Sequence, residues 1–173
     1  MKHTIVILLM LAIAATGMAQ ETQPRVFQQI YNSAMKTAND PGAPMPERKA
    51  ASFRADAVNY LSNRTLSEIA DTTKALKPEE IAALNSQLDS MAYFMYDYVN
   101  IFNKEYSRAK GQKDKARVLR LFREVSINNP LYNDPDRQLV LAYYNREDFL
   151  TQFSLDTNWV KAVGEVKKRL REM

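Results

Sequence analysis

Seven cations crowd one short stretch, Arg108, Lys110, Lys113, Lys115, Arg117, Arg120 and Arg123, and Asp114 is the only acid among them. Lys113, Arg117 and Arg120 follow at steps of four and three, so on a helix they share one face, which Arg123 extends. Such a face can attract anionic lipid headgroups, an acidic polysaccharide or an acidic protein by a long-range force that salt weakens. A solvated helix surface without a ligand needs the same residues. A second candidate lies between Asn128 and Phe153, where Tyr132, Arg137, Tyr143, Tyr144 and Arg146 stand among amides and acids. Stacking rings with hydrogen-bonding groups suit a sugar or a peptide. Caps, turns and half-buried tyrosines account for them equally well.

Asp97 is a third candidate, because Tyr93, Tyr96 and Tyr98 surround it in sequence. A carboxylate in an apolar setting has a raised pKa and can act as an acid or base. No second carboxylate is matched to it by spacing, so we assign it no catalytic role. Asn133, Asp134 and Asp136 offer oxygen ligands, but the glycine and terminal glutamate of an EF-hand loop are missing, and no metal or cofactor is expected. Asn63-Arg64-Thr65 has the form of a glycosylation triplet yet falls inside an expected helix.

Several chemistries drop out by composition. The chain has no cysteine and a single histidine, His3. Lys2 and His3 precede an apolar run from Ile5 to Ala15, and Gly17-Met18-Ala19 supplies small residues, the pattern of a secretory signal peptide cut after Ala19. The mature residues 20–173 then hold neither histidine nor cysteine. Ser-His-Asp and Cys-His catalysis, histidine-bearing zinc sites, thiol redox chemistry and disulfides fall away together. The apolar run is too short to span a bilayer, so the expectation is an exported protein, periplasmic or secreted and not transmembrane. The formal charge of +4 becomes +3 once Lys2 is removed, too mild to imply a nucleic-acid partner.

These candidates must be positioned by helices, for no strand or hairpin pattern occurs. The strongest periodicity runs from Pro78 to Lys110, where Ile81, Leu84, Leu88, Met91, Met95, Tyr98 and Phe102 form one seam at three- and four-residue steps. Tyr93, Phe94, Tyr96, Val99 and Ile101 fill the gaps in its middle, which predicts a section enclosed on nearly every side. A first helix is expected from Pro24 to about Ala38, with Phe27, Ile30, Tyr31, Ala34 and Met35 inward. Asn39 to Pro44 breaks it. A second runs from Pro46 to about Leu76, with an apolar face of Phe53, Ala57, Tyr60, Leu61, Leu66, Ile69, Thr73 and Leu76 and a kink near Asn63. Lys77-Pro78 then joins two long helices of similar length as an antiparallel hairpin, with Glu79 and Glu80 favourable in the first turn.

Beyond Gly111, the pattern predicts a shorter helix from Asp114 to Ile127 with Val118, Leu119, Phe122 and Val125 inward. A segment follows that Asp134 caps, carrying Leu139, Val140, Tyr143 and Tyr144, and Asn145 and Asp148 cap a further short turn. In the last helix Asp156 is the expected cap, Leu155 and Val160 a hydrophobic staple, and Trp159, Val163, Val166 and Leu170 the core face. The expected fold is all-α, one helical domain over residues 20–173 built as a bundle on the hairpin. A short α-solenoid is the alternative, suggested by the repeat-like turn at Asn128 to Tyr132 but lacking a second copy.

At Asn129-Pro130-Leu131-Tyr132-Asn133-Asp134, at Tyr144-Asn145 and from Thr151 to Val160, the chain resembles small exported all-helical proteins of gut bacteria that carry no assigned activity. The resemblance covers mainly the C-terminal third. It implies a Gram-negative envelope or secreted setting and brings no functional residues with it. The functional expectation is a non-enzymatic interaction or binding protein whose partner is an envelope protein or glycan. Two alternatives are a carboxylate-based glycan-acting enzyme and a structural homo-oligomer joined through the Ile81 to Phe102 seam.

Overall fold

A computed structural model describes residues 25–127 and 153–173. The described residues form α1 (Val26–Ala38), α2 (Met45–Ile69), α3 (Pro78–Arg108), α4 (Gly111–Ile127) and α5 (Trp159–Arg171), and no strand occurs among them. The fold is an all-α bundle. Helix α3, with 31 residues and a length of about 46 Å, is its hub. It packs against α1, α2, α4 and α5, while α1 also packs on α2 and α4 on α5. The segment 128–152, on which Asp134, Asn145, Asp148 and their expected helices fall, lies outside the described residues, as do residues 1–24.

The seam of α3 explains this position. Leu88, Met95, Tyr98 and Phe102 are buried, with Ala92 and Val99 beside them, while Ile81, Leu84 and Met91 are half-buried. Leu88, Met95, Tyr98 and Phe102 belong to the core of the bundle itself. The expected all-round enclosure stops short, because Tyr93 and Tyr96 remain 54% and 39% exposed. Both stand off the seam, and only Arg54 of α2 is seen against the Tyr96 ring among the described residues.

Six rings close the middle of the bundle. Tyr98 meets Phe122, Phe153 and Trp159 edge-on at 5.2, 5.5 and 5.3 Å between ring centres. Phe53 of α2 reaches Phe153 at 5.8 Å and Trp159 at 6.2 Å, and Phe102 reaches Phe122 at 5.3 Å and Phe153 at 5.2 Å. Edge-to-face geometry places the positive ring edge on a neighbour's negative face, adding to the burial energy. Rings from α2, α3, α4, α5 and the approach to α5 therefore share one core. Helix α2, packed on α1 and α3, buries Ala50, Ala51, Ala55 and Ala57, small side chains that let helix backbones approach closely.

Local chemistry sets the helix ends, and it corrects several expectations. Helix α2 is continuous through Asn63 and stops at Ile69 instead of Leu76. Asp71 Oδ1 accepts from Thr73 N at 3.0 Å and from Thr73 Oγ1 at 2.6 Å, and Ala75 takes a φ of +42°. A side chain that captures nearby donors and a left-handed residue both end a right-handed helix. Thr73 is accordingly exposed, and the two long helices differ in length, at 25 and 31 residues. Met35, expected inward, is 38% exposed. Helix α4 begins three residues earlier than its periodicity suggests, at Gly111, whose φ of +78° lets the chain turn sharply out of α3.

The start of α5 is corrected too. Asn158, not Asp156, is its cap, accepting from Lys161 N at 3.2 Å. Asp156 pairs instead with Arg64 of α2 at 2.5 Å. Val160 is 45% exposed, so the expected staple with Leu155 is absent. Three buried hydroxyls organise the approach in its place. Ser126 Oγ accepts from Ser154 N at 2.8 Å and lies 2.9 Å from Thr157 Oγ1, which donates to Ser154 O at 2.7 Å. This network ties the end of α4 to the start of α5.

At the start of α1 Gln28 Oε1 accepts from Arg25 N at 3.0 Å, and α3 supplies a further cap. Asp89 Oδ1 accepts from Phe27 N at 3.1 Å, while Asp89 Oδ2 accepts from Arg25 Nη2 at 2.9 Å and Nε at 3.1 Å. One carboxylate thus satisfies an open helix amide and a guanidinium fork. Asp89→Ala is expected to lower stability by about 1–2 kcal/mol through the lost cap and pair. A urea titration comparing midpoints at unchanged slope checks it, and an unchanged midpoint would contradict the account of α1.

Candidate functional site

The outer face of α4 carries the candidate site. Val118, Phe122 and Val125 anchor the helix in the core, which turns the opposite side to solvent. Lys113, Arg117 and Arg120 are exposed there, one helical turn apart, so three cations span about 10 Å. None of the three has an ion pair among the described residues. Screening at physiological salt acts over about 8 Å, so neighbouring charges in this row reinforce one another at close range.

The rest of the basic run is used differently. Arg108 pairs with Glu105 at 3.5 Å, and Lys115 lies 5.5 Å from the centre of the Tyr106 ring. Arg123 departs from the expected face, being half-buried with its Nε enclosed. At 100° per residue it sits beside the buried flank of α4, off the Lys113–Arg117–Arg120 row. Glu124, one turn beyond Arg120, would interrupt the positive row, but Arg169 of α5 engages it at 3.4 Å. Arg169 also holds Glu165 at 2.7 Å, which together with its neighbouring cations keeps that carboxyl below its ordinary pKa.

Asp97 is placed where it forms an ion pair. Its carboxylate meets Lys167 of α5 at 2.9 Å and is 30% exposed. The pair joins α3 to α5. Asp89, Asp156, Glu68, Glu105, Glu124 and Glu165 each likewise face a cation. Among the described residues no group of three or more histidine, cysteine, aspartate or glutamate side chains is placed to hold a metal ion. Tyr132, Arg137, Tyr143, Tyr144 and Arg146 lie outside the described residues, as do Asn133, Asp134 and Asp136.

The aromatic core adds one titrating group. Tyr98 donates its hydroxyl to the Phe122 carbonyl, and burial raises its pKa well above the ordinary tyrosine value of 10.0, with Arg169 opposing weakly. The folded chain therefore holds this proton more tightly than the unfolded one. Tyr98 protects stability fully below about pH 10, and that protection is lost as pH climbs from there toward the folded pKa. Tyr98→Phe is expected to cost about 1 kcal/mol at pH 7 and to flatten the alkaline fall. Denaturant midpoints measured from about pH 7 to 11 check this, and parallel curves for the two proteins would contradict it.

Arg54, on α2, escaped the sequence reading. It reaches α3, donating from Nη2 to Asn100 Oδ1 at 2.5 Å, with its guanidinium carbon 4.9 Å from the Tyr96 ring centre. An arginine between Phe53 and Ala55, amid buried small residues, is the signal that could have found it. Comparison with family models, with curated proteins and with solved structures gives no match to this chain. Among the described residues no helix is long and apolar enough to cross a membrane.

Proposed function

We propose that the protein is a non-enzymatic, exported interaction protein of the cell envelope that binds an anionic partner through the outer face of α4. The observation that carries this reading is the row Lys113, Arg117 and Arg120, exposed on a helix whose other side is fixed in the core. A rigid row of cations recognises acidic groups on a protein or glycan by charge spacing. The leader-like start at Lys2 to Ala19 and the resemblance to exported helical proteins support the envelope setting.

The partner in this reading is an acidic envelope protein or an acidic glycan. Affinity capture of the tagged mature chain from its native envelope, washed at low and at high salt, tests it. A partner retained at low salt and released at high salt is the expected result. Capture of nothing, or of a partner indifferent to salt, would overturn it. Mass spectrometry of the exported chain should find an N-terminus at Gln20.

A further inference from the structure

Arg54 is a half-buried cation without a carboxylate partner among the described residues, in contrast to Arg25, Arg64, Arg108 and Arg169, which each have one. Among the described residues its hydrogen-bond acceptor is neutral, the Asn100 side chain, and its buried Nε has no acceptor. Burial lowers its pKa, and the Tyr96 hydroxyl opposes this only in part. The group nevertheless stays charged at neutral pH. A partly desolvated charge lacking a counter-ion costs free energy that an arriving anion offsets.

The surroundings narrow the anion. A guanidinium presents a planar fork of donors that matches a carboxylate. Beneath it the ring of Tyr96 is 39% exposed, and Tyr93, one turn earlier on α3, is 54% exposed. An exposed ring offers the flat apolar surface on which the C–H face of a sugar stacks. Asn100 spends its carbonyl oxygen on Arg54, which leaves the amide hydrogens for a sugar hydroxyl. We propose that Arg54, Tyr96 and Asn100 form a binding site for an acidic saccharide of the uronic-acid type. Arg54 meets the carboxylate, Tyr96 the ring face and Asn100 a hydroxyl. This site joins α2 and α3 and is independent of the α4 face.

The test is a heteronuclear NMR titration of the full mature chain at constant ionic strength with glucuronate, glucose and acetate in separate arms. Saturable shifts of the Arg54 side chain and the Tyr96 ring with glucuronate are expected, with glucose and acetate each binding about tenfold more weakly or less. Arg54→Gln should weaken glucuronate about tenfold or more, the loss of one charge-assisted contact. Arg54→Lys, which keeps the charge and loses the fork, should weaken it as well. Should the Arg54 variants fail to fold, Tyr96→Ala is a surface change that should lower glucuronate affinity on its own. Absence of saturable shifts, unchanged affinity in Arg54→Gln or in Tyr96→Ala, or acetate binding as well as glucuronate would each overturn the proposal.

Discussion

Truncating Trp159 to alanine is expected to destabilise the protein by about 3–5 kcal/mol, a large part of the roughly 5–15 kcal/mol that holds a typical domain folded. Trp159 has no exposed surface, and it stands where α5 enters the bundle, against Phe53 of α2 and Tyr98 of α3. Its loss opens a cavity among rings that meet edge-on and cannot collapse into the gap without giving up that geometry. Trp159→Phe should cost less than alanine. The smaller ring keeps much of the volume and removes an indole N–H that is buried with no acceptor among the described residues. Because this is the only tryptophan in the chain, far-UV circular dichroism must follow unfolding in place of tryptophan fluorescence. Tyr93→Ala, at an exposed ring, serves as the control and should stay within about 0.5 kcal/mol of the parent. A loss below about 1 kcal/mol for Trp159→Ala would contradict the placement of α5.

Reversing Lys113, Arg117 and Arg120 to glutamate is expected to do the opposite, leaving the fold intact and removing the binding. The three side chains are exposed and take no part in the core, so stability should change by less than about 1 kcal/mol, mainly because the carboxylate replacing Arg120 would face Glu124 one turn away. Each basic contact with an anionic surface contributes about 1 kcal/mol, so losing three lowers affinity about a hundredfold, and repulsion lowers it further. Arg123 is left out of this variant because its half-buried side chain would confound folding with binding. Equal binding by parent and variant, with both folded, would remove α4 as the contact face.

The sequence made the hub legible. Thirty-one residues of unbroken helical periodicity have few alternatives, and Leu88, Met95, Tyr98 and Phe102 are buried as the seam required. Val118, Phe122, Val125, Trp159, Val163 and Val166 followed their periodic positions for the same reason. What escaped depends on groups distant in sequence or on competing local bonds. Periodicity carried α2 on to Leu76, but it does not register that Asp71 captures Thr73 or that Ala75 turns left-handed. Asp97 looked like an isolated acid because its lysine lies 70 positions away, on α5. Asp89 as the cap of α1, and Arg54 over Tyr96, likewise arise only when separate helices pack. The basic row was legible because its three members belong to one helix. Arg123 is half-buried, a difference from the three row residues that sequence steps alone did not reveal.

The most direct measurement of the central claim is the affinity of the captured partner for the parent and for the triple glutamate variant across a salt series. Parent affinity is expected to fall linearly on a log–log plot against salt, and the variant, still folded, to bind at least about a hundredfold more weakly at low salt. Parent and variant curves that coincide at every salt concentration would contradict it.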